Sequence, residues 1–212
     1  MSIPLGRLQP QQLIHCDFER LGEADSHVGV EAQLVSFVIN GDRLGLGIVN
    51  DISNNSFWRD GTNNVWPDWL QIDFNGSKLI DEIDIYTLQD NYANPATPTL
   101  STTFSNQGIV DFDVQYWNGA SWVTVPNGSV TGNNKVWRQF TFTAVTTTKI
   151  RAVVNNGLSS RSRITELEAW GTATAPRTNV ASSSNGAVAS ASSTTPICDG
   201  LGNMEPSSAN SK

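Results

Sequence analysis

The sequence predicts an all-β protein, an antiparallel β-sandwich, and three observations lead to that prediction. Between Trp69 and Phe74, apolar residues at every second position alternate with polar ones, which is the period of a strand with one buried face. Short runs of this kind recur along the chain, separated by turn residues such as Asn-Gly pairs. No helical period accompanies them, and such a series of short strands is typical of two packed antiparallel sheets.

The N-terminal segment, residues 1–35, does not share this pattern. It shows no sustained strand or helix period, and it contains both histidines of the chain, His15 and His27. The patterned part of the chain begins at Ser36. We therefore treat residues 1–35 as an atypical segment outside the predicted sandwich.

Two long loops interrupt the predicted strands. A tight turn at Asn40-Gly41-Asp42 leads into a polar stretch up to Asn64, and a second loop runs from Asp90 to Gly108. Both are longer than the usual connection of ~4–6 residues, which marks them as candidate functional loops. Turns are predicted at Asn75-Gly76 and, within a hairpin, at Asn118-Gly119. The predicted strands cover residues 69–74, 82–88, 109–117, 122–125, 137–143, 149–154 and 163–170.

The last predicted strand contains an irregularity. Ile164 is apolar, but the next apolar residues are Leu167 and Ala169, so the alternation slips by one residue near Thr165-Glu166. A slip of this kind predicts a β-bulge, which re-aims the neighbouring side chain.

Two stretches carry a resemblance to a known family. Pro67-Asp68-Trp69-Leu70-Gln71-Ile72-Asp73-Phe74, followed by the run from Ile83 to Tyr92, resembles the discoidin or coagulation-factor 5/8 type C domain. Within that family the chain is most similar to bacterial family-32 carbohydrate-binding modules. The resemblance covers about 37–171 and implies the family's eight-stranded jelly roll.

The C-terminal part is predicted to be separate from the module at 36–171. Residues 172–178 have the composition of a linker, and Asn179 to Ser193 resembles the opening strand of a second module of the same family. Residues 179–212 are therefore either the start of an incomplete second module or a disordered tail. If the segment instead fills a vacant strand position in the first module, Ala187, Ala189 and Ala191 share one face.

Composition excludes several classes of partner. The 212 residues carry 13 Lys and Arg against 20 Asp and Glu, a net charge of -7, which argues against nucleic acid and against docking on an anionic membrane. No apolar run reaches the ~20 residues that span a bilayer, and residues 1–20 lack the features of a signal peptide. Cys16 and Cys198 lie near opposite ends, and their spacing does not show whether they pair.

Catalysis has little support in the patterned region. It contains no histidine, no Gly-rich phosphate loop and no cysteine pair at zinc spacing. The carboxylate pairs Asp111/Asp113 and Glu166/Glu168 could flank a glycosidic bond, but an i, i+2 spacing on strands predicts a solvated sheet face.

A structural calcium site is implied by the resemblance. Members of the family that hold calcium use the loop that matches Asn40-Gly41-Asp42 and a glutamate that matches Glu166. Oxygen donors of this kind suit Ca²⁺. The family more often has Asp at the position of Asn40, so the site carries one charge fewer. The metal ligands predicted are Asn40, Asp42 and Glu166.

The resemblance also implies a carbohydrate site at one end of the sandwich, where aromatic rings and planar hydrogen-bonding groups meet on loops. A histidine that binds galactose in some relatives has no counterpart, which argues against galactose itself. Asn156 and Arg163 lie beside the same loops, and Arg163 is alternatively a structural partner for an aspartate. The ligand-binding residues predicted are Trp58, Arg59, Trp66, Asn91, Tyr92, Asn155 and Arg161.

The function expected is therefore that of a non-catalytic carbohydrate-binding module in a larger extracellular or cell-surface bacterial protein. The partner expected is a glycan. An adhesion module that binds a protein is the alternative, with the Trp117/Trp122 hairpin as a candidate surface. A glycoside-active enzyme fragment is less favoured.

Overall fold

The structure, a computed structural model, describes residues 35–46, 57–171 and 177–194. The histidines, the cysteines and most of the N-terminal segment lie outside these ranges. A short 3-10 turn covers Ser36–Ile39, and further 3-10 turns cover Leu158–Ser160 and Ser183–Asn185. The strands are β1 Trp58–Arg59, β2 Asp68–Thr87, β3 Ile109–Trp117, β4 Trp122–Val130, β5 Trp137–Gly157, β6 Arg163–Gly171 and β7 Val188–Ala191.

Two long antiparallel strands, β2 and β5, form the backbone of the fold. Their register shifts between Asp73 and Lys78 and again between Ile80 and Glu82, so each strand contributes one half to each of two layers. The first half of β2 pairs with β7 on one side and with the second half of β5 on the other. The second half of β5 also pairs with β3, and β3 pairs with β4. The second half of β2 lies between β6 and the first half of β5, and β1 pairs with β6.

The core lies between these layers. The alternating residues that the sequence assigned to the buried face are buried on both long strands, and they form one cluster with side chains from the other half. The predicted antiparallel β-sandwich is confirmed. The buried apolar side chains include Leu70, Ile72, Ile83, Ile85, Phe112, Val114, Phe140, Ile150, Ala152 and Val154.

Two details of the strand prediction are decided by the structure. The prediction of a turn at Asn75-Gly76 is wrong, because β2 continues through these residues. Gly76, at φ 75°, lies between Asp73 and Lys78, where the register between β2 and β5 shifts. The bulge predicted in the last strand is confirmed. Glu166 pairs with Tyr86 and Ile164 with Thr87, which leaves Thr165 as the extra residue.

The C-terminal segment from 177 to 194 packs against the sandwich. β7 pairs antiparallel with β2, from Leu70 opposite Ala191 to Asp73 opposite Val188. Ala181, Ala187 and Ala189 are buried in the core, whereas Val188 is 65% exposed. Gly186 turns the chain into β7 at φ 76°, and an added Cβ there would lie 3.0 Å from the Asn75 side chain. Of the alternatives open for the tail, the docked strand is the one found for these residues.

No helix among the described residues has the length and hydropathy that crossing a bilayer requires.

Candidate functional site

The predicted ligand-binding loops meet at the start of β6. The short strand β1 pairs with it, Arg59 opposite Arg163. Two backbone bonds then join the loop after β1 to the turn before β6, from the Asp60 amide to the Ser162 carbonyl at 3.1 Å and from the Asn64 amide to the Ser160 carbonyl at 2.9 Å. The sequence-distant segments 58–64 and 158–163 are thereby fixed side by side.

Trp58 is not part of the ligand site, and this prediction is wrong. Its side chain is fully buried, and its indole N–H donates to the Ser193 carbonyl at 2.8 Å. A ring without exposed surface cannot stack on a sugar. Trp58 instead fastens β1 to the C-terminal segment.

Three arginines form a cluster at this end, which we call the arginine cluster: Arg59, Arg161 and Arg163. Arg163 is buried, and its guanidinium donates to the carbonyls of Leu158, Ser159 and Arg161. Burial and the positive charges of Arg59 and Arg161 lower its pKa to about 10. Burial, followed by the charge of Arg161, also lowers the pKa of Arg59. The cluster is therefore a site of desolvated, mutually repelling cations.

Aromatic side chains flank the arginine cluster. Tyr92 is 47% exposed, and its phenol is close enough to Arg163 to act on the pKa of that guanidinium. Trp66 is half-buried against the core, and its indole N–H donates to the Ser162 hydroxyl at 3.3 Å. The loops bring Arg59, Trp66 and Arg161 together at one end of the sandwich; that these residues and Tyr92 bind a ligand stays a prediction.

Two of the predicted ligand-binding residues are engaged elsewhere. The exposed amide of Asn91 donates to the Asn94 carbonyl within its own loop, at 2.9 Å. Asn155 donates to Asp113 at 3.1 Å, and the neighbouring Asn156 donates to Asp111 at 3.0 Å, across the β3–β5 pair. No described contact connects Asn91 or Asn155 with the arginine cluster.

The structure adds residues to the site that the sequence did not predict. The sequence leaves Arg163 open as a structural partner for an aspartate, but its guanidinium donates to backbone carbonyls instead. Ser193 holds the loop after β1 by two hydrogen bonds. Its hydroxyl donates to Asp60 and accepts from the Gly61 amide at 3.1 Å. A Cβ at Gly61 would lie 2.7 Å from the Thr194 carbonyl oxygen. In the sequence, Gly61 between the polar residues Asp60 and Thr62 is the feature that could have indicated this close contact.

The loop predicted to hold calcium lies against Glu166. The Gly41 amide donates to Glu166 Oε1 at 3.0 Å, while Glu166 Oε2 is buried without a hydrogen-bond partner among the described residues. Asn40 and Asp42 each accept backbone amides of the same loop. Burial, with the charges of Glu168 and Asp42, raises the pKa of Glu166 to about 8. A buried carboxylate with an unused oxygen, beside other oxygen donors, fits a hard cation.

Glu166 belongs to a larger group of buried carboxylates, which we call the acidic cluster: Asp84, Glu166 and Glu168. The prediction of a solvated face for Glu166 and Glu168 is wrong, since they are 0% and 2% exposed. Arg43 binds Glu168 through two hydrogen bonds of 2.8 Å. Asp84 accepts the indole N–H groups of Trp137 and Trp170, at 3.1 and 2.9 Å.

Comparison with known proteins gives one family match. Residues 48–152 match the F5/8 type C family described as the NedA-like, galactose-binding domain. Among curated proteins, none matches this chain.

Several solved carbohydrate-binding modules are similar to the chain. The family 32 module from C. perfringens NanJ, in complex with galactose, is 19% identical, with 64% of this chain and 82% of that chain covered and a TM-score of 0.44. The family 32 module from Streptococcus pneumoniae EndoD is 15% identical, with 64% and 84% covered and a TM-score of 0.45. The lectin domain of lectinolysin, complexed with Lewis B antigen, is 17% identical, with 66% and 84% covered and a TM-score of 0.44.

The alternation at Leu70–Phe74 and the antiparallel sandwich around it agree with the family match. Residues 48–152 of this chain belong to the F5/8 type C family of galactose-binding-like domains.

Proposed function

We propose that the protein binds carbohydrate through the loop end that carries the arginine cluster. One observation supports this most directly. Arg59 is half-buried, yet its guanidinium has no hydrogen bond or ion pair with any residue in the described ranges. A desolvated donor group without a partner stabilises a complex when a ligand supplies the missing acceptor.

The aromatic residues provide the second part of such a site. Sugar rings have an apolar face and a polar edge, so they bind where a ring and planar donors lie together. Tyr92 is the exposed ring at this end, with Trp66 half-buried beside it. Arg59 and Arg161 supply the donors, with Arg161 oriented by its 2.6 Å bond to the Asp60 carbonyl.

The proposal includes a structural calcium ion held by Asn40, Asp42 and Glu166. The unused buried oxygen of Glu166 supports this assignment. The ion would neutralise part of the acidic cluster and fix the loop at Asn40-Gly41-Asp42, without a role in bond cleavage.

We further propose that this domain acts without catalysis, as one module of a larger extracellular or cell-surface bacterial protein. The carboxylate pairs support a non-catalytic role, because their described contacts are structural: Asp111 and Asp113 bind asparagine side chains, and Glu168 binds Arg43. The hydroxyl-rich composition, with only 16% charged residues, suits an exported β protein.

A glycan array probed with the full chain tests the proposal. We expect discrete hits, and we expect Tyr92→Ala to weaken them at least tenfold without changing the β-type circular dichroism. Leu100→Ala is the matched control, because Leu100 is 53% exposed on the same loop and takes no part in the described contacts of the arginine cluster. An array without hits, or equal losses in both variants, would contradict carbohydrate binding at this site.

A further inference from the structure

The arginine cluster is unusual in a chain with an excess of acidic residues. The chain contains 20 Asp and Glu against 13 Lys and Arg. Two arginines outside the cluster bind carboxylates: Arg43 binds Glu168, and Arg177 binds Asp81 and Glu82. Arg138 and Arg151 instead donate to side-chain amide oxygens, of Asn133 and Gln115. Arg59 and Arg163 have no ion pair with a carboxylate of the described residues, although each is substantially buried.

Backbone carbonyls orient Arg163 but leave its charge in place. The three carbonyls that bind Arg163 are dipoles, so they satisfy its N–H groups without supplying a counter-charge. The described carboxylates on the adjoining segment bind hydroxyl and amide groups: Asp60 accepts from Thr62 and Ser193, and Asp68 accepts the Ser162 hydroxyl at 2.7 Å. The charges that act on Arg59 and Arg163 are those of other arginines and of Tyr92.

We propose that this site selects anionic saccharides, with the carboxylate of a sugar acid bound at Arg59 and its ring placed against Tyr92. This inference rests on the proposed carbohydrate binding and specifies its ligand class. A guanidinium matches a carboxylate through two parallel N–H···O bonds, and such a pair is strongest where water is partly excluded. The ligand carboxylate would also relieve the repulsion within the arginine cluster.

A matched pair of sugars isolates the carboxylate. Methyl glucopyranosiduronate and methyl glucopyranoside differ only at C6, where the acid carries a carboxylate and the neutral sugar a hydroxymethyl group. We expect the full chain to bind the acid at least tenfold more tightly by isothermal titration calorimetry at pH 7 and low salt. The preference should shrink as salt is added, because ionic strength screens a partly exposed ion pair.

Two arginine variants assign the preference to the cluster. Arg59→Gln should weaken binding of the acid far more than binding of the neutral sugar, so that the preference for the acid is lost, and Arg59→Lys should restore only part of that preference. Arg151→Gln is the control: Arg151 is also half-buried, its pKa is also lowered by burial, and its guanidinium lies over Trp122 on the outer sheet face. This control should bind both sugars as the unaltered chain does.

The outcomes separate this inference from the proposed function. Equal affinity for the two sugars, with binding lost in Tyr92→Ala, would overturn the acid preference and leave carbohydrate binding intact. An acid preference that survives Arg59→Gln but disappears in Arg151→Gln would place the anion on the sheet face and overturn our assignment. Absence of binding to either sugar and to the glycan array would overturn both proposals.

Discussion

Strand β6 carries two clusters of like charge within a few residues. Arg163, at its start, belongs to the arginine cluster, whereas Glu166 and Glu168 belong to the acidic cluster. Both are desolvated, with the effects on pKa that burial demands: the pKa of Arg163 is lowered, and those of Glu166 and Asp84 are raised.

The two clusters differ in how the protein compensates them. The acidic cluster receives a countercharge from Arg43 and two indole donors at Asp84, which leaves one oxygen of Glu166 unused. In the arginine cluster, Arg163 binds backbone carbonyls, and the exposed Tyr92 acts on the pKa of its guanidinium. The difference in compensation is the basis of our proposal that the arginine cluster binds a ligand, whereas the acidic cluster holds the fold.

Removal of the C-terminal segment should have the largest effect, because that segment contacts both ends. Arg177 binds Glu82 beside the acidic cluster, and Ser193 binds Trp58 and Asp60 below the arginine cluster. Deletion of 176–212 removes the burial of three alanine methyl groups, at ~0.8 kcal/mol each, and leaves the Trp58 indole without its acceptor, at ~1–3 kcal/mol. We expect a loss of about 4 kcal/mol in the free energy of urea unfolding.

Deletion of 195–212 is the control for this experiment, since it retains β7 and Ser193. It should leave the unfolding midpoint within experimental error. A chain shortened to 175 residues that is as stable and soluble as the full chain would show that the docked segment contributes nothing.

Calcium should stabilise the acidic cluster. An ion that binds only the folded state adds about 2.7 kcal/mol at a concentration of 100 times its Kd. We expect excess chelator to lower the melting temperature and added calcium to restore it. Glu166→Gln should weaken this response, because it removes the carboxylate with the unused buried oxygen.

The matched control for calcium is Asp113→Asn, which removes a carboxylate from the outer sheet face and should retain the full response. An identical melting curve in calcium and in chelator would remove the metal from this account.

Asp84 should make stability depend on pH. Burial, followed by the charges of Glu82 and Glu168, raises its pKa from 3.8 to about 6. Between these values the folded state binds more protons than the unfolded state, so stability falls as pH rises from about 4 to 6. The cost at neutral pH is on the order of 3 kcal/mol, at ~1.4 kcal/mol per pKa unit between 3.8 and about 6.

Asp84→Asn tests this pH dependence. The variant should show a flatter stability profile across pH 4–6, measured by urea unfolding at each pH. It loses one of the two indole acceptors, so its stability at pH 4 should be lower than that of the unaltered chain. A slope unchanged by the substitution would assign the dependence to another carboxyl group.

The sequence predicts those parts of the fold that depend on local period. The alternation at Leu70 and Ile72 identifies a buried face, and the slip near Thr165 identifies the bulge, because both follow from the two-residue repeat of a strand. The local period does not predict that β2 continues through Gly76. An Asn-Gly pair is typical of a turn, but in this strand it lies where the register between β2 and β5 shifts.

The site is less predictable, because its contacts join distant segments. Trp58 lies in a polar stretch that suggests exposure, but it is covered by Ser193, 135 residues further on. The spacing of Glu166 and Glu168 correctly puts them on one strand, yet their burial depends on Arg43, 125 residues away from Glu168. No local pattern encodes such contacts.

The smallest expected effect concerns Arg59 and is opposite in sign to the others. Arg59→Gln removes a half-buried cation beside Arg161, so it should leave stability unchanged or raise it by up to about 0.5 kcal/mol at low salt. The gain should disappear in high salt. Arg43→Gln, which removes the cation bound to Glu168 of the acidic cluster, should instead lower the free energy of unfolding by about 2 kcal/mol. This is less than the ~3–5 kcal/mol of a fully buried ion pair, because Glu168 is buried while Arg43 is 38% exposed.

Opposite signs for these two arginines would support the distinction between a cluster that holds the fold and a cluster that awaits a ligand. Thermal melts of both variants at two salt concentrations measure it. If Arg59→Gln destabilises the chain as strongly as Arg43→Gln does, the arginine cluster is a structural element. The half-buried charge of Arg59 would then be compensated within the chain, and the reason for assigning it to a sugar acid would be lost.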